Sequence, residues 1–256
     1  MTSGPGMSVA EAFVASTDRS RLFLRSWRPG EVGAVLAVVH EPGSDGAGYA
    51  GLAHALALHR IATYAIDLRG CGRSPGSYRR IGAIAARLAD LRTLLSCARQ
   101  ADPAAPIFML GHGAGAALAC HYALRHEGEL DGIICTGARL GPAWKGALLR
   151  RFPRLSGALS LAGARRKLRG PLAGLAVPLL LLHGSEDPVA PLCGSEYLHR
   201  YVASRDKTLL VFEGHGHELI NGPGHALVRD KIWQWIQAQR NAGTWRRRIG
   251  IEYINE

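Results

Sequence analysis

Leu110-Gly111-His112-Gly113-Ala114-Gly115 links an apolar run at 107–110 to a stretch with helical character at 114–125. The run carries no polar side chain, which suits a strand buried on both faces. Glycine at every second position of the link, followed by alanine-rich sequence, reads as a tight strand-to-helix turn. Strand, turn and helix together form part of a βαβ unit. A phosphate-binding turn has the same parts, but a lone glycine cluster names no ligand.

The same rhythm extends in both directions. Upstream, strands are expected at 22–27, 34–39 and 61–66, with a helix at 49–60 between the last two. A glycine-punctuated turn at 67–76 precedes a long amphipathic helix at 81–99. Downstream come strands at 132–135, 177–182 and 208–212, and helices at 194–202 and 227–239, the last with Trp233 and Trp235 beside its core face. Alternating strands and helices predict an α/β fold, a mostly parallel sheet with helices on both faces. Residues 137–176 lack this periodicity and read as an insertion over the strand ends.

The chain has 256 residues, 47% hydrophobic and 20% charged, enough for one large core, so residues 1–256 are expected to form a single domain. Lys and Arg number 31 against 20 Asp and Glu, a net charge of +11. Two basic clusters stand out, Arg150, Arg151, Arg154, Arg165, Arg166, Lys167 and Arg169 in the insertion, and Arg246, Arg247 and Arg248 near the end. They suit solvated faces, an anionic membrane surface or an acidic partner. No finger, ribbon or helix-turn-helix signature accompanies them, so nucleic acid is not the expected partner. The cysteines, Cys71, Cys97, Cys120, Cys135 and Cys193, are odd in number and scattered, as reduced thiols of a cytoplasmic protein would be. Neither a leader peptide nor a membrane-spanning run is expected.

Five segments together resemble the monoacylglycerol lipase and lysophospholipase branch of the α/β-hydrolases, sometimes grouped with serine aminopeptidases. They are His40-Glu41-Pro42-Gly43-Ser44-Asp45, Asp67-Leu68-Arg69-Gly70-Cys71-Gly72-Arg73-Ser74-Pro75-Gly76, Gly111-His112-Gly113-Ala114-Gly115, His183-Gly184-Ser185-Glu186-Asp187 and Gly216-His217-Glu218. They occur in the family's order over about residues 22–236. The resemblance implies an α/β-hydrolase fold with Asp187 as the acid and His217 as the base. At the nucleophile elbow, Gly-x-Ser-x-Gly in the family, Gly113 takes the place of serine. Backbone amides of Glu41 and Ala114 correspond to the oxyanion hole, and Glu41 stands where the family usually has glycine. Residues 137–176 correspond to the family's helical cap, reduced here to a short lid, a dimer contact or a membrane-facing patch.

Without a side chain at 113, covalent acyl-enzyme chemistry is closed. The first expectation is therefore a non-hydrolytic homologue that binds a small hydrophobic or anionic molecule or a partner. The alternatives are an enzyme of different mechanism, a lyase, isomerase, cyclase or direct water-activating hydrolase built on His217 and Asp187 with help from Glu41, and a weak esterase with another nucleophile. His40, Asp45, His112 and Trp144 are pocket candidates. The order of histidines and acids fits no zinc motif, so no metal and no cofactor are expected.

Overall fold

The computed structural model describes residues 6–76, 84–139, 171–241 and 249–255. Its strands are β1 (Met7–Ala15), β2 (Arg21–Pro29), β3 (Ala34–Val39), β4 (Ile61–Asp67), β5 (Ile107–His112), β6 (Gly132–Thr136), β7 (Leu179–Gly184), β8 (Lys207–Phe212) and β9 (Ile249–Ile254). They form one sheet in the order β1-β2-β4-β3-β5-β6-β7-β8-β9. The β1–β2 and β2–β4 pairs are antiparallel, and every other pair is parallel. The expected mostly parallel sheet is thus present, with helices against both faces.

Strand β3, Ala-Val-Leu-Ala-Val-Val, shows why. All six of its residues are buried, and the pleat sends alternate side chains into opposite helix layers. Val35, Ala37 and Val39 join a core shared with α2 (Ile84–Ala101), α3 (Ala114–Ala123) and α4 (Cys193–Tyr201). Ala34, Leu36 and Val38 join the other, covered by α1 (Ala50–Ala57) and α5 (His225–Arg240). Trp235 of α5 seals that second layer, meeting Phe108 edge-on at 5.7 Å.

Some boundaries differ from expectation for local reasons. The stretch expected as helix 49–60 divides into a 3-10 turn, Gly46–Tyr49, capped by Asp45, and the shorter α1. Strand β7 starts at Leu179 rather than 177, just after Pro178, which has no N–H for the ladder. Edge strands β1 and β9 are additions to the expected set; all of their residues are exposed or half-buried, and the apolar side chains that alternate along β9, Ile249, Ile251 and Tyr253, are exposed. All five cysteines are free thiols. No helix among the described residues is long and apolar enough to cross a membrane.

Of the expected insertion, residues 140–170 lie outside the described residues, as do Trp144 and both basic clusters. Its described end, the 3-10 turn Pro171–Gly174, places Leu172 in the first core.

Asp67, fully buried at the end of β4, ties the strand ends together. One carboxylate oxygen accepts from Arg25 of β2 at 2.6 Å and from the Gly46 amide at 2.8 Å. The other accepts from the Arg73 amide at 2.8 Å. Ser74 bridges the Asp67 carbonyl and the Phe23 amide. Because Arg25 is itself buried and its other partner, Glu11 at 3.2 Å, is exposed, Asp67→Asn removes its only buried counter-charge among the described residues and is expected to lower the unfolding free energy by about 3 kcal/mol. Urea denaturation with unchanged slope measures this; a loss below about 1 kcal/mol would show that the pair is not what anchors these loops.

Candidate active site

Strand order reverses around β3: the chain goes from β3 outward to β4, then crosses back to β5 on the other side. Such a switch point opens a crevice at the carboxyl ends of the strands. The segments leaving β3, β5, β6, β7 and β8 carry Glu41, Gly113, Arg139, Asp187 and His217 respectively. Separation in sequence therefore disappears in space.

His217 and Asp187 meet as expected. His217 Nδ1 donates to Asp187 Oδ2 at 2.6 Å. Asp187 Oδ1 accepts from the amides of Val189 and Ala190 at 2.8 and 2.7 Å, which fixes the carboxylate. His183 braces this loop from below: its Nε2 donates to the Ala190 carbonyl at 2.9 Å and its Nδ1 accepts from Ser195 at 2.8 Å. Gly137, at φ +52°, admits the imidazole; a β-carbon there would lie 2.8 Å from His217 Nδ1.

At the sharp bend between β5 and α3, Gly113 has φ +55° and ψ −115°, a conformation that a residue with a β-carbon adopts only under strain. Glu41 fills the space above it. A β-carbon on residue 113 would lie 2.3 Å from Glu41 Oε2. That carboxylate also reaches Arg139, 3.2 Å from Oε2, and His217, whose Nε2 is 3.6 Å from Oε1. It stands at the N-terminus of α3, where helix amides favour an anion.

These charges set the protonation states. Burial disfavours the His217 cation, but Asp187 and Glu41 outweigh it and raise the pKa to about 9. Burial likewise opposes ionisation of Asp187, yet His217 and the two loop amides hold its carboxyl below the usual range. For Glu41 the burial cost is overcome by His217, Arg139 and His112, again lowering the pKa. At neutral pH the dyad is an imidazolium held between two carboxylates.

The remaining candidates separate. His112, 5% exposed, sets its ring 4.6 Å from that of His217, tilted by 41°, and its Nδ1 2.9 Å from Thr136 Oγ1. It belongs to the site. His40 does not present a free nitrogen: Nδ1 donates to the Glu41 carbonyl at 2.7 Å and Nε2 accepts from the Leu68 amide at 2.9 Å. Its role is to hold the Glu41 loop. Asp45 accepts from the Ala47 amide at 2.8 Å as a turn cap. Ala114 opens α3 at the bend, where its amide was expected. Two partners were missed: Arg139, and Glu218, whose carboxylate lies 3.8 Å from His112 Nε2. Arg139's position just past a strand's carboxyl end was the available signal.

Glu41, His112 and His217 each offer a ligand atom, all within 4.8 Å of one another. Nε2 of His112 and Nε2 of His217 are buried without a hydrogen-bond partner among the described residues. This trio, drawn from the loop after β3, the last residue of β5 and the loop after β8, is the group among the described residues able to hold a cation.

Known proteins share this architecture. A soluble variant of monoglyceride lipase from Saccharomyces cerevisiae superposes with a TM-score of 0.74 at 19% identity, covering 92% of this chain and 96% of that one. An esterase from Exiguobacterium antarcticum gives 0.71 at 19% identity, covering 89% and 100%. At such identities the likeness establishes the α/β-hydrolase fold. In sequence, a monoacylglycerol lipase of Mycolicibacterium smegmatis is 28% identical over 263 aligned positions, 80% of this chain and 94% of the relative. Human monoglyceride lipase is 25% identical, covering 80% and 82%. The family model described as serine aminopeptidase, S33 matches residues 30–170 and 147–224, and with well over half its length so matched the chain belongs to that family.

Proposed function

We propose that this protein is a family member without serine acyl-transfer chemistry, one that binds a small hydrophobic, ester-bearing molecule at the carboxyl ends of its strands. The observation that carries the reading is the Glu41 carboxylate lying where the side chain of an elbow serine would project from position 113. Fold and relatives supply the ligand class: the similar proteins are named for acting on monoacylglycerols. Of the two ligand classes suggested by the sequence, the uncharged one fits better, because the Glu41 charge would face an anion at the bend.

Resting protonation supports binding over general-base chemistry. With a pKa near 9, only about 1% of His217 is neutral at pH 7. The imidazolium donates to a ligand oxygen and does not take a proton from water. A second reading, direct activation of water, is favoured by one observation: the unpartnered nitrogens of His112 and His217 face the same small space as Glu41.

A fluorophosphonate probe, which reports an activated serine, is expected to leave the unmodified protein unlabelled; labelling would overturn the proposal. Gly113→Ser alone should still gain nothing, since its β-carbon meets Glu41 and the backbone strain costs about 1–3 kcal/mol. Adding Glu41→Gly removes that obstruction, and hydrolysis of a short acyl ester should rise about 100-fold or more over the single variant as the oxyanion donors come into use.

In chelator-treated protein, NMR titration should show His217 protonated at neutral pH and losing its proton near pH 9. Asp187→Asn and Glu41→Gln should each lower that value. The stabilisation from this raised pKa is complete below the unfolded value of about 6.5 and is lost as pH rises through the folded one. A His217 titration at or below 6.5 would contradict the two-carboxylate arrangement.

A further inference from the structure

We propose that Glu41, His112 and His217 form the protein side of a site for one divalent transition-metal cation, of which zinc is the type, with water completing the coordination. The inference rests on the reading that no serine acts at position 113, and it deepens the water-activating alternative. Two imidazoles and one carboxylate with an open position make a catalytic zinc set. Nitrogen-rich donors of this kind select zinc, iron or cobalt over magnesium or calcium.

Three features argue for a ligand rather than a chance cluster. The ligand atoms lie within 4.8 Å of one another, and a tetrahedral cation at bonds of about 2.0–2.1 Å asks for separations of about 3.4 Å. The His217–Glu41 pair, at 3.6 Å, is already near that value. The nitrogens near the space are buried and make no hydrogen bond among the described residues: His112 and His217 are 5% and 7% exposed, and each Nε2 stands only at ion-pair distance from a carboxylate, Glu218 at 3.8 Å and Glu41 at 3.6 Å. Buried donors left this way are costly unless something occupies the space between them.

The outer nitrogens also have the support that metal-binding histidines show. His217 Nδ1 donates to Asp187 and His112 Nδ1 sits against Thr136 Oγ1. A carboxylate behind a histidine fixes its tautomer and strengthens it as a ligand. Arg139 holds Glu41 by Oε2, leaving Oε1, the oxygen nearer His217, for the cation. Gly113 supplies the room.

The chemistry implied is hydrolysis of a carboxylic ester without an acyl-enzyme. A cation held by Glu41, His112 and His217 would make a neighbouring water more acidic; that water would add to the acyl carbon as the carbon–oxygen bond to the alcohol breaks, and the proton it gives up to solvent would be returned from solvent to the departing alkoxide.

Titrating full-length, chelator-treated protein with Zn²⁺ by calorimetry, and with Co²⁺ by visible spectroscopy, tests the site. One equivalent should bind, and cobalt should show the intense bands of a four- or five-coordinate ion. Glu41→Gln, His112→Ala and His217→Ala should each weaken zinc at least about 100-fold with unchanged circular dichroism, and Asp187→Asn about 10–100-fold. Glu41→Gln keeps the size of the side chain, so it remains informative if a histidine variant fails to fold. Folded wild-type protein that binds no zinc, or variants that retain wild-type affinity, would overturn the site. Fluorophosphonate labelling separates the two ideas: labelled wild-type protein defeats the no-serine reading, whereas unlabelled protein without zinc defeats the metal alone.

Discussion

Position 113 and the Glu41 carboxylate cannot both be filled in the ordinary way. A β-carbon at 113 would stand 2.3 Å from Glu41 Oε2, closer than atoms approach without displacement. Glycine at the bend therefore lets the carboxylate rest above it without displacement, whereas a β-carbon would turn the end of the Glu41 side chain away. In the proposed reading, glycine after β5 and the glutamate after β3 are one steric event. Around it the rest of the site is arranged: Arg139 and the amides of α3 stabilise the anion, and His217 becomes a cation beneath it.

The protonation pattern follows from that arrangement. In a serine hydrolase the histidine needs only one carboxylate behind it, and its other nitrogen faces a neutral hydroxyl. Here the second face meets a carboxylate too, so the proton is held from both sides. An imidazole in this state is a donor or, once its proton is displaced, a ligand. Its behaviour as a base is suppressed by the carboxylate that lies beside Gly113.

How much of this could be read from the chain varies with the kind of information. The buried parallel strands were legible because both faces are apolar, and Asp187 and His217 because the family's segments surround them. The edges were not: β1 and β9 have too little buried surface to impose a pattern. Asp45 and His40 sit in the right loops, but local bonds claim them, Asp45 by the Ala47 amide and His40 by two backbone groups. A loop sequence places a residue near a site without showing which way its polar atoms face. The Glu41–His112–His217 trio was only partly legible: its residues could be grouped at one cleft, but not picked out as ligands. Metal motifs are recognised by spacing along one segment, whereas these residues are brought together only by the crossover at the sheet's switch point.

That distinction bears on whether the cluster is a relic or a working site. A histidine kept only as scaffold satisfies both nitrogens, as His40 and His183 do here. His112 and His217 each satisfy one and leave the other buried without a hydrogen bond among the described residues, at ion-pair distance from Glu218 and Glu41 respectively. Each such atom costs about 1–3 kcal/mol relative to a bonded one, a sizeable part of a typical domain's net stability of about 5–15 kcal/mol. An apolar ring of similar size would fill either position without that cost. An Nε2 without a hydrogen bond also occurs at His199, outside this cluster; what sets His112 and His217 apart is that their ligand atoms lie within 4.8 Å of each other and of the Glu41 carboxylate.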